Sequence, residues 1–275
     1  MDKKIKKTGN IYGFIWKKEK GRAVPERWHF HDMQELICEP IVRGEIGIEV
    51  GSGCGYDTYI MAKANSSVKI FSLELSDGIF VNNELTKGLE NVWPVKASAL
   101  NIPVKNEVCD FAYSFGVLHH TPDPDQGVRE ISRLLKKKAP IFLYLYEDHL
   151  ENWFKCWAVK IIRLLRIITT RFPATLSYAI SFLASPFVAF LFGYPARILS
   201  IFEPMKDFAQ KIPFNFVTHP LSLSGDLYDR FTAPIEKRYS RCGACDLLAK
   251  NGFSDIKIDR IKSKAGWVVW GYKNA

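Results

Sequence analysis

Residues 44–150 alternate between two hydrophobic periods. "GEIGIEV" (44–50) is a short β-branched, apolar run that ends in a Gly-rich turn and gives way to the helical stretch "YDTYIMAKAN" (56–65). The alternation then repeats. "SVKIFSLEL" reads as a second strand and "SDGIFVNNELTKGL" as a helix with a polar start, followed by the strands "VWPVKAS" and "CDFAYSFG". "DQGVREISRLLKKKA" is amphipathic at helical spacing, with lysines where a helix dipole favours cations, and "PIFLYLYE" is a fifth strand. Strands separated by helices of this length predict right-handed βαβ crossovers and an α/β fold on a parallel sheet.

Residues 150–220 break this pattern. "NWFKCWAVKIIRLLRIITTRF" is apolar at helical spacing with five interleaved cations, and residues 172–196 carry no charge at all. The α/β pattern resumes with a helix ending at Gly252 and two strands, "SDIKIDRI" and "AGWVVWGYK", joined by the link "KSK" as in a hairpin. Four segments follow: a basic, aromatic lead over 1–43, a core over 44–150, an apolar helical insert over 151–220, and a completion of the core over 221–275. The insert is long enough to span a bilayer, but its prolines divide it. A single span would also strand the last two elements across the membrane from their sheet. A soluble helical lid, an interfacial membrane-binding lid and transmembrane helices all stay open.

Composition changes this picture little. A hydrophobic fraction of 47% with 24% charged residues marks a folded chain of 275 residues. The net charge of +9 allows an anionic partner or a membrane surface. The first residues, "MDKKIKKTGNIYGF", have cations but no apolar stretch behind them, so a secretory signal is not expected. Scattered cysteines point to reduced thiols and a cytoplasmic setting, peripheral on the inner membrane face if the insert binds lipid. Cys242 and Cys245 form a CxxC pair without the second pair that zinc requires.

The candidate chemistry lies in "GIEVGSGCG". Gly51, Gly53 and Gly55 sit between a strand and a helix, where bare amides and the helix N-terminus suit a polar ligand group. Glu74 closes the second strand, where a carboxylate can accept both hydroxyls of a ribose. Turn and acid together point to a nucleotide-type cofactor, used chiefly by nicotinamide oxidoreductases and by S-adenosylmethionine (SAM) methyltransferases.

"GIEVGSGCG", "LELS", "ALNIPVKNEVCDFAYSFGVLHHTPDP" and the closing hairpin together resemble the class I SAM-dependent methyltransferases, in the branch of the ubiquinone-pathway and related small-molecule enzymes. The resemblance covers about 44–150 well and 240–275 loosely. It implies a Rossmann-like, doubly wound sheet of seven strands whose last strand is antiparallel. It also implies that Glu49, Gly51, Ser52, Gly53 and Gly55 cradle the amino-acid part of SAM, that Glu74 binds the ribose, and that Leu75 lies against the adenine. The acid that usually meets the adenine amino group is replaced by Ser98, so Ser98 or the backbone of Ala99 must substitute. Ser114 and Phe115 would approach the methionine end.

His119 and His120 follow at the mouth of the implied site and are the candidate bases; of the two, His119 is the stronger. Some ubiquinone-pathway relatives bind a metal here, but their acid positions fall at Gly116 and His119, so no such metal site is expected. Tyr12, Phe14, Trp16 and Trp28, with His29 and His31, resemble a cap over the cofactor, with ordinary core packing as the alternative. Tyr12, Trp16, Tyr228 and Asp229 are weaker candidates for contacting the acceptor. The expected activity is methyl transfer from SAM to a small-molecule or lipid-linked acceptor, at oxygen or carbon. A nicotinamide-dependent oxidoreductase and a non-catalytic SAM-binding scaffold on a membrane assembly are the rivals. Nucleic acid is not expected as a partner.

Overall fold

A computed structural model describes residues 3–18, 29–217, 219–261 and 266–275. Trp28 and the "KSK" link lie outside the described residues. The chain divides into two compact units, one formed by residues up to Glu147 with Ile235–Ala275, the other by Asp148–Pro234.

The first unit is built on a seven-stranded sheet of order β3-β2-β1-β4-β5-β7-β6. Its strands are β1 (Ile46–Val50), β2 (Lys69–Glu74), β3 (Val92–Lys96), β4 (Phe111–Phe115), β5 (Pro140–Tyr146), β6 (Phe253–Arg260) and β7 (Gly266–Lys273). β1 lies beside β2 and β4 in parallel register, Ile48 opposite Phe71 and Ala112. β7 is antiparallel to both β5 and β6, with Phe142 opposite Trp270. This is the Rossmann-like sheet, antiparallel last strand included, that the sequence motifs imply.

Side-chain alternation sends two sets of residues to opposite faces. Ile48, Val50, Leu143, Leu145 and Val269 pack with Val128, Ile131 and Leu134 of α5 (Pro124–Leu134) and with Leu247 and Leu248 of α11 (Arg241–Ala249). Ile70, Phe111, Tyr113, Phe142 and Val268 pack with Phe30 and Met33 of α2 (His29–Leu36) and with Met61 and Ala62 of α3 (Tyr56–Ala64). Helices cover both faces because the central strands are apolar on both. α5 starts on an Asp123 cap, whose carboxylate accepts from the Gln126 amide, with Pro124 in the first turn.

One local expectation is corrected. The lysines of "LLKKKA" do not extend α5, which ends at Leu134. Leu135 instead bridges Cys109, and Lys138 takes a left-handed turn (φ 61°). Lys136 reaches Asp110 at 2.7 Å, so an ion pair beside the start of β4 replaces the dipole role.

The second unit is helical: α6 (Trp153–Thr169), α7 (Ala174–Val188), a π-helical turn through Gly193, α8 (Tyr194–Leu199), α9 (Lys206–Lys211) and α10 (Ser224–Thr232). Asn152 caps α6 by accepting from the Lys155 amide. α7 packs on α10, with Tyr178 and Tyr228 edge to face at 5.9 Å.

Ile131 is fully buried between α5 and the sheet. Ile131→Ala is expected to lower unfolding free energy by about 2–5 kcal/mol in a denaturant titration, the usual cost of such a truncation in a packed core.

Candidate active site

The turn after β1 is held by its own backbone. The amides of Gly51 and Ser52 both donate to the Leu73 carbonyl of β2, at 2.7 and 2.9 Å. The Gly53 amide donates to Glu74 Oε2 at 2.9 Å, and the Gly55 amide to the Ser52 carbonyl at 2.8 Å. Bare amides offered to a ligand are the expectation from sequence, and the structure corrects it. These donors are consumed within the turn and in tying it to β2.

The glycines are nonetheless required. All three have positive φ (82°, 57° and 87°), a region costly for residues with a Cβ. An added Cβ would also run into protein: the Val117 side chain at Gly51, Trp16 Cζ2 at 2.8 Å at Gly53, and Asn82 Cγ at 2.5 Å at Gly55.

Beneath the turn runs a buried polar chain. Thr58 Oγ1 donates to Glu49 and lies 2.7 Å from Ser72 Oγ; Asn82 Nδ2 donates to both Ser72 Oγ and Ser52 Oγ. Glu49 is therefore a structural acid under the turn, with its carboxyl held well above the usual range by burial first and then by the Asp57 charge. Asp57 itself accepts from the Phe30 amide and the Tyr113 hydroxyl, tying α2 to α3. No sequence motif marks Asp57, whose role depends on α2 lying across the start of α3.

Above the turn lies an apolar cleft with about 760 Å³ of empty space, part of it open to solvent. Its floor is Gly51, Leu73, Glu74 and Leu75, and one side is the 97–100 segment with Ser98 and Ala99. Phe115, Gly116, Val117, His120, Thr121 and Pro122 form the other side. The roof is α1 (Lys3–Lys18), which presents Ile5, Thr8, Gly9, Tyr12 and Trp16 as one helical stripe. Trp16 seats its indole between Gly53 and Gly78, the first residue of α4 (Gly78–Leu85). Lys17 pairs with Asp77 at 2.8 Å, as does Lys96 of β3, and these two cations lower Asp77 to about 2.

Glu74 is the one carboxylate among the described residues that line the cleft. Both of its oxygens are oriented by the main chain, Oε2 by Gly53 and Oε1 by the Ser76 amide at 2.7 Å. Each oxygen keeps a second lone pair for a ligand hydroxyl. Ser98 Oγ accepts from the Leu100 amide at 3.2 Å.

Of the residues singled out from sequence, Gly51, Glu74, Leu75, Ser98, Ala99, Phe115, His120, Tyr12 and Trp16 meet at the cleft. The others are placed elsewhere. Ser114 is buried within the sheet and donates to the Val50 carbonyl at 2.8 Å. Glu49, Ser52, Gly53 and Gly55 belong to the turn and its support. Tyr228 is buried in the helical unit against Tyr178, and Asp229 follows it on α10. The two histidines exchange rank, because the 3-10 turn Leu118–His120 aims adjacent side chains apart. His119 is wholly buried with its ring 3.9 Å from that of Tyr146, and it is His120 that reaches the cleft. His120 Nδ1 lies 2.8 Å from the Ile235 carbonyl, an acceptor only. In the neutral ring Nδ1 therefore carries the hydrogen and Nε2 the lone pair. The α1 residues Ile5, Thr8 and Gly9, absent from the sequence candidates, carry no motif; only their helical spacing with Tyr12 and Trp16 could have disclosed them.

Residues 48–143 match the family described as "Methyltransferase domain". The core of this chain is a class I methyltransferase domain. Domains of this class take their methyl group from SAM. A chloroplastic 2-methyl-6-phytyl-1,4-hydroquinone methyltransferase of Spinacia oleracea is 27% identical over 166 residues, covering 52% of this chain and 48% of the relative. A tRNA (carboxymethyluridine(34)-5-O)-methyltransferase of Saccharomyces cerevisiae is 36% identical over 95 residues, covering 34% of this chain and 32% of that protein. The chain thus spans about a third to a half of these relatives. A SAM-dependent methyltransferase structure from Thermotoga maritima aligns with a TM-score of 0.56 over 97% of this chain and all of its own, at 15% identity, a likeness of fold.

The cleft residues fit the cofactor. A buried, backbone-anchored carboxylate at the tip of β2 suits ribose hydroxyls, and the slot between Leu75 and Ser98–Ala99 suits a flat base. Two outcomes are expected. Gly53→Ala, which sets a methyl against Trp16 at a positive φ, should speed hydrogen exchange across α1 and cost about 1–2 kcal/mol of stability. Glu49 holds a proton in the folded state that the unfolded chain releases above about pH 4.3, so stability falls as pH rises from there towards the raised folded value. Glu49→Gln should abolish that fall, leaving the variant more stable than the parent at pH 7 but not at pH 3.5 in parallel thermal melts.

Proposed function

We propose that this protein transfers a methyl group from SAM to an apolar small-molecule or lipid-linked acceptor, at a hydroxyl oxygen or an activated carbon. The observation that carries the proposal is one cleft lined by both Glu74 and His120, in a lining that is otherwise mostly apolar. Few polar groups in an apolar lining fit an acceptor recognised by shape and one reacting atom.

SAM supplies a methyl group on a sulfonium sulfur, so little covalent chemistry is left to the protein. Glu74 would accept from the ribose hydroxyls through lone pairs its backbone partners leave available. Leu75, Ser98 and Ala99 would flank the base. Val117, packed over Gly51, and Phe115, whose ring stacks between those of His29 and Tyr144 at 4.1 Å on each side, give the reacting end a rigid wall. Methyl transfer is an in-line displacement, for which alignment is the main contribution. His120 Nε2 receives the acceptor proton, and the Ile235 carbonyl bonded to Nδ1 holds the ring in the tautomer that can do so. α1 covers one side of the cleft through Tyr12 and Trp16.

The named activity of the spinach relative, on a prenylated hydroquinone, agrees with an apolar phenolic acceptor. The yeast tRNA enzyme matches over a shorter segment, which does not carry its acceptor to this chain.

Calorimetry with SAM and its demethylated product tests the donor half; Glu74→Ala should weaken both by at least tenfold, and no heat for either with the parent chain would refute it. Incubation with radiolabelled SAM and separate lipid and tRNA fractions tests the acceptor half. Label is expected in the lipid fraction, and label in tRNA alone would overturn the assignment. His120→Ala should lower kcat by about 10²–10⁴ with SAM affinity unchanged.

A further inference from the structure

The helical unit Asp148–Pro234 has its polarity inverted relative to a water-soluble helical bundle. Along the continuous helical run Ala174–Leu199, the buried positions are Ser177, Ser181, Ser185, Ala189, Gly193 and Ala196, a stripe of small residues. They lie against α10 and its neighbours: Ser185 Oγ donates to the Pro220 carbonyl at 2.5 Å, and a Cβ on Gly193 would fall 2.7 Å from that of Val217. The large residues of the same helices face outward. Leu183, Phe187 and Phe190 are 67%, 71% and 72% exposed. In water the opposite arrangement is favoured, since each such side chain gains about 1.5–3 kcal/mol on burial. Small residues inward and large apolar residues outward is how helices pack when lipid surrounds them.

This face is not an isolated patch. Among the described residues, the exposed large hydrophobic side chains other than Phe80 and Trp93 all lie between Leu150 and Leu221. α6 adds Trp153, Trp157, Ile161, Leu164 and Ile168. Over the central part of this span the charges are of one sign. From Asn152 to Phe202 the chain has six cations (Lys155, Lys160, Arg163, Arg166, Arg171 and Arg197) and no acid. Lys160 lies over the Trp157 ring at 4.9 Å, an aromatic–cation pairing suited to a headgroup region.

Connectivity then decides between crossing the membrane and lying in it. Ala174–Leu199 is, among the described residues, the one helix long and apolar enough to cross a bilayer. Both ends of the unit rejoin one sheet, because β5 before it pairs with β7 after it. One crossing would place paired strands on opposite sides. A return through α6 would draw four cations into hydrocarbon, at about 2.5–3.5 kcal/mol each.

We infer that the helical unit is a monotopic membrane anchor, its Leu/Phe face immersed in one leaflet and its cations set against anionic headgroups. The occupant of the face is a bilayer carrying anionic lipid, fixed by the acid-free cationic segment around the apolar surface. The inference is independent of the methyl-transfer proposal.

Flotation of the purified full chain with vesicles of phosphatidylcholine, alone or mixed with phosphatidylglycerol, tests it. The parent chain should float with the mixed vesicles and less with phosphatidylcholine alone. The triple variant Leu183→Ser, Phe187→Ser, Phe190→Ser should lose partitioning by more than tenfold, with an unchanged circular dichroism spectrum showing that it folds. Lys160→Gln with Arg163→Gln should lose the preference for the anionic vesicles, by about fivefold per cation. A parent chain that stays unbound to both vesicle types overturns the inference, as does a triple variant that floats like the parent. A lipid-free dimer that the triple variant converts to monomer, without flotation of either, would make the face a contact between copies and overturn it equally.

Discussion

Much of the α/β unit's cofactor end depends on one carboxylate between two amides. Glu74 accepts from Gly53 on one side and Ser76 on the other, so the turn leaving β1 and the turn leaving β2 are fixed through a single side chain. Charge-assisted bonds of this kind are stronger than neutral ones, and here they are buried. The Gly51 and Ser52 amides complete the clamp on the Leu73 carbonyl. Trp16 can then rest on Gly53, and α1 can roof the cleft. The cleft and its roof thus share one anchor.

The sheet could be read from the chain because its signals are local. Each of the first five strands is a short, largely apolar run, and helical spacing separates β1 from β2, β2 from β3 and β4 from β5. The antiparallel last strand came from the resemblance, with the late hairpin consistent with it. What was not legible are contacts that no local pattern encodes. The glycines of "GIEVGSGCG" announced that something must approach closely, but Trp16, Val117 and Asn82, the atoms that do, come from distant segments. Spacing could not reveal that the turn's amides were already engaged. His119 and His120 are neighbours in sequence, so which of them faced the cleft waited on the hand of a three-residue turn. Asp57 likewise becomes meaningful only once Tyr113 and the Phe30 amide converge on it.

The helical unit gives the complementary lesson. Its composition showed apolar helices, and composition cannot say which way the apolar side faces. The small residues at 177, 181 and 185 are spaced as a stripe, and the fold turns that stripe inward. A chain obeying the usual rule for water would have done the reverse.

The shared ion pair at Asp77 carries one more consequence. Lys17 of the roof and Lys96 of β3 each take one oxygen of the same half-exposed carboxylate, so the roof's electrostatic tether is weakened by dissolved salt while the indole seat of Trp16 is not. Raised ionic strength is therefore expected to loosen the Lys17 contact of the roof while the packing of Trp16 on the turn persists.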